Sequence, residues 1–243
     1  MNMVTSKYSF LMPPILFVLG MSILISIWAI VSPATITELF NMDGASPVEL
    51  MTLPLFALII PFAWLFPPTK EGKWQWAWSL DYSLLAFIAI CRETDLHKTF
   101  GHYIWPHLSN VNFNFKAKFF MNEAVPIEAK LMVFVFYSVA IIAIIAPLVR
   151  YGLTLFKEFF RLHPVAWTVA FFGGCGVMSQ LADDFEGKLE KFGIVCNDSA
   201  SALFRVFEEG GEMLLAFFAL TALLQAYVYR KQKAQEEQCS SKM

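Results

Sequence analysis

The sequence predicts an all-α, polytopic membrane protein of about six transmembrane helices, with both termini cytoplasmic and an interfacial outer loop over 93–130. Three observations carry this prediction. Of 243 residues, 57% are hydrophobic and the mean hydropathy is +0.55, well above soluble composition. The apolar residues gather in runs close to the roughly 20 positions that a spanning helix needs. The lysines and arginines between the runs fall mostly on one side.

Six runs qualify or nearly qualify: 9–32, 48–67, 75–92, 131–149, 165–182 and 207–229. The first has only Lys7 before it, is longer than a signal-peptide core and lacks a cleavage site despite Ser32-Pro33-Ala34, so it reads as a retained helix. The third and fifth are short and carry polar residues. Together they predict a single helical bundle over 1–229, followed by a polar cytoplasmic tail, 230–243, expected to be frayed.

Loop 33–47 holds no lysine or arginine, whereas 68–74 carries Lys70 and Lys73, 150–164 carries Arg150, Lys157 and Arg161, and the tail opens with Arg230, Lys231 and Lys233. With six spans those basic segments share the cytoplasmic side, leaving 33–47, 93–130 and 183–206 outside. Trp64, Trp74, Trp76, Trp78 and Trp167 then gather at the cytoplasmic interface, where amphipathic rings prefer to sit. Lys98, Lys116, Lys118 and Lys130, in the outer loop, run against the rule. That loop also holds His97, His102 and His107 with many aromatic residues, and is too apolar for a free linker. It reads either as an interfacial or re-entrant piece or as a set of aromatics capping the bundle.

A formal charge of −2, with no basic arm or Gly-rich phosphate loop, excludes a nucleic-acid module; the lipid bilayer is the expected partner, and protein partners are not encoded. Four scattered cysteines make no disulfide scaffold; Cys196 has only Cys175 as a conceivable partner. There is no repeat of 20 to 50 residues.

Charges at the ends of the apolar runs supply the site hypothesis, because ionisable groups at membrane depth are expensive. Arg92-Glu93-Thr94-Asp95-Leu96-His97, Asp183-Asp184 and Glu208-Glu209-Gly210-Gly211-Glu212 are expected on the same side of the bilayer. If the third helix continues through 97, Glu93 and His97 share a face. A carboxylate and an imidazole there suit metal ligation or proton handling, and Arg92 could neutralise Glu93 or hold an anion. The bland alternative is that helices end in charges that snorkel to water.

On the last helix, Asp198 or Ser199 is the expected N-cap. Glu208 and Glu212 lie one turn apart with Glu209 beside them and Arg205 a turn earlier; three carboxylates within five residues need protons, basic partners or a cation. Alternatively, this helix enters the bilayer only at Met213. The fifth helix ends in Ser179, Gln180 and Asp183, expected on one face toward the bundle or a wet cavity, while Asp184 onward also fits a solvated loop. Asp81 stands apart, about two turns into the third helix, as a proton relay or an interhelical hydrogen-bonding group.

The Arg-Glu-x-Asp-x-His run, Lys116-x-Lys118-Phe119-Phe120 with Val125-Pro126, Ser179-Gln180 and Glu208-Glu209 together resemble a family of uncharacterised bacterial inner-membrane proteins over about 75–225. That resemblance implies a multi-helix inner-membrane protein and no activity. Alkaline-ceramidase-like membrane hydrolases are also similar in outline. They place paired histidines where this chain has Glu208-Glu209-x-x-Glu212, which disfavours their zinc chemistry here.

No nucleophile elbow or His-Glu-x-x-His motif is present. Three classes remain. The first binds a cation or protons through Glu93, Asp95, His97, Asp183, Glu208, Glu209 and Glu212, in a transport or channel-like role, supported by Arg92, Ser179, Gln180, Arg205 and Asp81. The second is a metal-dependent lipid hydrolase or transferase. The third is a structural or assembly protein. A divalent metal ion, if bound, would be held by Glu93, His97, Glu209 and Glu212.

Overall fold

The computed structural model describes residues 8–40, 46–66, 75–94, 117–240 and, between these last two segments, 96, 106–108, 111 and 113. Every regular element among them is helical. A 3-10 turn, Ser9–Leu11, leads into α1, Met12–Ile30, and then come α2, Pro33–Phe40; α3, Pro47–Leu65; α4, Gln75–Glu93; a 3-10 turn, Pro106–Leu108; the short α5, Ala117–Met121; α6, Ile127–Phe160; α7, Pro164–Lys191; and α8, Asp198–Ser240.

Local chemistry explains the boundaries. Ser46 and Glu49 form a reciprocal capping box at the start of α3: the Glu49 backbone N–H donates to Ser46 Oγ at 3.1 Å, and the Ser46 N–H donates to Glu49 Oε2 at 2.9 Å. Pro164 opens α7 at a position where its missing N–H costs nothing. The cap of α8 is Asn197, whose Oδ1 accepts from the Ala200 N–H at 2.8 Å, so the expected Asp198 or Ser199 cap sits one or two residues too late. At the end of α7, Gly193 adopts a φ of 77°, and the Gly193 and Ile194 N–H groups satisfy the carbonyls of Glu190 and Leu189. Leu162 takes that left-handed role after α6 with a φ of 59°.

Five helices are long and apolar enough to cross a bilayer, which makes this a multi-pass membrane protein by length and composition: Ser9–Ile30, α3, α6, α7 and the Asp198–Gln232 part of α8. α4 has the length but is not among these five, and it carries Gln75, Asp81, Arg92 and Glu93.

α8 is the central element, packing on α7, α3, α1 and α2, while α4 leans on α3 and α6. One core joins Leu24, Ile36, Phe40, Cys175, Val206 and Phe218; a second joins Phe56, Ile59 and Ala63 of α3 with Ala86, Ala216 and Leu223. Most of α6 is exposed, including Ile142, Leu148, Val149 and Leu153, as lipid contact requires. Phe113 and Phe119 are buried with Leu108 against Ala129 and Val133 at the start of α6.

Two expectations are corrected, and one open question on the cysteines is answered. The segment 183–206 is a helical hairpin with a short turn at 192–197, because α7 runs on to Lys191 and α8 starts at Asp198. The tail is helical to Ser240, since α8 continues without a break past Arg230. Cys175 is buried inside α7 and Cys196 lies in the turn beyond it, and no disulfide joins them.

The antiparallel register of α1 and α8 positions the acids. Ser9 Oγ meets the Tyr229 hydroxyl at 2.8 Å, Gly20 faces Leu214, Gly210 faces Leu24, and Trp28 Nε1 donates to the Ser199 carbonyl at 2.9 Å. Glu208 to Glu212 are therefore level with the low to middle twenties of α1, inside its apolar run. At 1.5 Å per residue, Glu212 lies about 12 Å in from the end of α1 at Ile30. This register argues against α8 entering the bilayer only at Met213.

Candidate functional site

Two glycines bring Glu212 to its neighbours. A Cβ on Gly210 would fall 2.5 Å from Leu24 Cδ2 of α1, and a Cβ on Gly211 would fall 3.2 Å from Ser179 Cβ and Met178 Cε of α7. Bare backbone on both sides lets α1 and α7 close on α8 at this level. Glu212 follows at once and is 6% exposed.

Its carboxylate is satisfied from two helices. Arg92 Nη2, from the last turn of α4, lies 2.5 Å from Glu212 Oε1, and Ser179 Oγ of α7 donates to the same oxygen at 3.0 Å. The Arg92 side chain is 53% exposed, so the pair is buried at one end only. The Glu93 carboxyl, next to Arg92, lies within electrostatic reach of Glu212.

A second set of carboxylates lies beside this pair. One oxygen each from Glu49, Glu93 and Glu209 falls within 4.8 Å of the others, and all three residues are half-buried. α3, α4 and α8 each contribute one. Glu208 and Asp183 complete the acidic surroundings: both are within electrostatic reach of Arg92, and Glu208 also of Arg205. The polar end of α4, the first turn of α3 and the glycine step of α8 thus converge at one level.

The sequence-predicted residues fare differently. Arg92, Glu93, Glu209 and Glu212 come together, with Glu208, Asp183 and Arg205 at the edge. Ser179 points inward to Glu212, but Gln180 and Asp183 are not buried with it. They are exposed and bond each other, Gln180 Nε2 donating to Asp183 Oδ2 at 3.3 Å. Two successive helical residues are about 100° apart, so Ser179 and Gln180 cannot both look into the bundle. Asp184 is also exposed, held by Lys188 Nζ at 3.0 Å. Asp95 and His97 lie outside the described residues. Asp81 is far along α4 and does not join the cluster.

Glu49 is the residue that sequence reasoning missed. Its signal is Ser46-Pro47-Val48-Glu49 ahead of an apolar run, a capping-box pattern that fixes an acid in the first turn of a helix. The expected topology already put that turn on the same side as Glu93 and Glu208.

Chemically, three carboxylates from three helices offer only oxygen donors, a set that suits hard cations or shared protons. Arg92 already occupies Glu212, so the triad of Glu49, Glu93 and Glu209 is the part open to a ligand. Comparison with protein-family models, with curated proteins and with solved structures finds no match.

Proposed function

We propose that this is a bacterial inner-membrane protein whose carboxylate cluster, at the outer side of the bundle, binds a cation or protons in a transport or channel-like role. The observation that carries the reading is the charge balance at membrane depth. Among the described residues, the guanidiniums of Arg92 and Arg205 face the carboxylates of Glu49, Glu93, Asp183, Glu208, Glu209 and Glu212. Such an excess of acid within a low-dielectric bundle requires protons or a cation to offset it. Glu49, Glu93 and Glu209 are the proposed ligands of a hard divalent ion, and His97 is a further one by its position in sequence. The basic ends of α6 and α8 support cytoplasmic termini.

The Arg92–Glu212 pair favours a second reading, in which the acids lock α4, α7 and α8 together in a structural or assembly protein. Calorimetric titration of Mn2+ into the detergent-solubilised protein separates the two. Stoichiometric binding that is lost in Glu209→Gln, with the melting temperature retained, supports the cation site. No binding, together with no cation- or pH-dependent flux in liposomes, leaves the structural role.

A further inference from the structure

Away from the cluster, α4 carries one more acid, and its surroundings do not account for it. Asp81 sits six residues into the helix, and its Oδ2 is enclosed without a hydrogen-bond partner among the described residues. Hydrogen-bonding groups on the elements packed nearby are committed elsewhere. Ser79 Oγ donates to the Ala63 carbonyl at 2.7 Å, and Trp64 Nε1 donates to Ser83 Oγ at 3.0 Å, so the polar contacts between α3 and α4 bypass Asp81. On α8, Thr221 bonds back to Phe217, and Gln225 accepts from Thr168 of α7. On α3 the ionisable residue is Glu49, at the opposite end. Tyr82, next in sequence, is within electrostatic reach of Asp81 on one side and of Tyr151 of α6 on the other. Arg150, beside Tyr151, is held over its ring at 5.4 Å from the centroid.

We propose that Asp81 is a proton-exchanging site at the end of α4 opposite the carboxylate cluster. An ionised carboxylate with an enclosed, donorless oxygen is expensive to keep, whereas the neutral acid is tolerated. An interhelical hydrogen bond would be the ordinary reason for an aspartate here, and Oδ2 makes none. The Tyr82 hydroxyl is a polar group within electrostatic reach of that carboxyl. The step is balanced by itself: one proton enters the carboxylate from the aqueous side and leaves as such. Asp81 and Arg92 are eleven residues apart on one helix, about 16 Å along its axis, so α4 carries acidic groups near both ends of the bundle. The transport consequence rests on the function proposed above; the protonation of Asp81 does not.

The test uses the full-length protein in liposomes and dicyclohexylcarbodiimide, an apolar reagent that converts protonated carboxyls in apolar surroundings to stable N-acylureas. Trypsin cleavage after Lys73 and Arg92 releases the peptide 74–92, in which Asp81 is the only internal side-chain carboxyl before cleavage. We expect the adduct on that peptide at neutral pH, formed more slowly as pH rises and absent in Asp81→Asn. No adduct there while other carboxyls react, or labelling by a water-soluble carbodiimide instead, overturns the proposal. With a pH-sensitive dye inside the liposomes, Asp81→Asn should lower proton flux at least tenfold while Mn2+ binding at the cluster is unchanged. If the wild type carries no flux, the transport reading fails and the labelling alone decides Asp81.

Discussion

Glu212 takes its hydrogen bonds from two other helices, and that makes it sensitive to the loss of either donor. Arg92→Met would leave a buried carboxylate with Ser179 alone. The expected loss is on the order of 2 kcal/mol, below that for a wholly buried pair because half of the Arg92 side chain is exposed. The double variant Arg92→Met, Glu212→Gln should recover most of it, since no unpaired charge remains; thermal melts of the four proteins in detergent read the coupling. Ser179→Ala should cost about 1–2 kcal/mol by the same assay, the range for a hydrogen bond to a charged group. The residue types in this site were legible in the chain, because carboxylates beside apolar runs are conspicuous. Which of them touch was not: Gln180 is turned about 100° from Ser179, and Asp183, one turn further on, is already exposed.

At the scale of the helices, the Gly210-Gly211 step decides how closely α1, α7 and α8 approach. Gly211→Leu puts a branched side chain where Ser179 Cβ already lies 3.2 Å from a Cβ position, so α7 must move away from α8. We expect a destabilisation above about 2 kcal/mol and loss of any cation binding together, seen as a lowered melting temperature and a flat titration. Leu162 offers the opposite sign. A leucine at a φ of 59° bears a strain that glycine does not, so Leu162→Gly should raise stability by about 1 kcal/mol at this exposed turn. Helix positions were readable from apolar runs, and their centres agree with the sequence prediction. Their ends were not, since α7 and α8 extend past the apolar stretch into charged residues that hydropathy alone assigns to loops.

For the whole molecule, orientation is testable with the chain's own cysteines. Cys91 and Cys175 are buried, Cys196 lies in the α7–α8 turn and Cys239 is exposed near the end of α8. With cytoplasmic termini, a membrane-impermeant maleimide should label Cys196 in cells whose outer envelope alone is opened, and Cys239 only after the inner membrane is permeabilised. The reverse pattern inverts the topology and moves the carboxylate cluster to the cytoplasmic side. Of the five tryptophans expected at the cytoplasmic interface, Trp167 stacks on Phe159 and meets Phe10, and Trp64 donates to Ser83; Trp74 and the side chains of Trp76 and Trp78 lie outside the described residues.

Hydropathy, run length and the placement of lysine and arginine determined by themselves that this is a helical, multi-pass chain, because burial in lipid acts on each run separately. The same logic singled out Arg92, Glu93 and the acids of α8, each being costly where it stands. Only the tertiary structure decided that Glu49 joins them, that Arg92 pairs with Glu212 and that Asp81 lies apart from the cluster. Those outcomes depend on the rotation and register of one helix against another. They are set by close packing at Gly210 and Gly211, which a linear pattern does not encode.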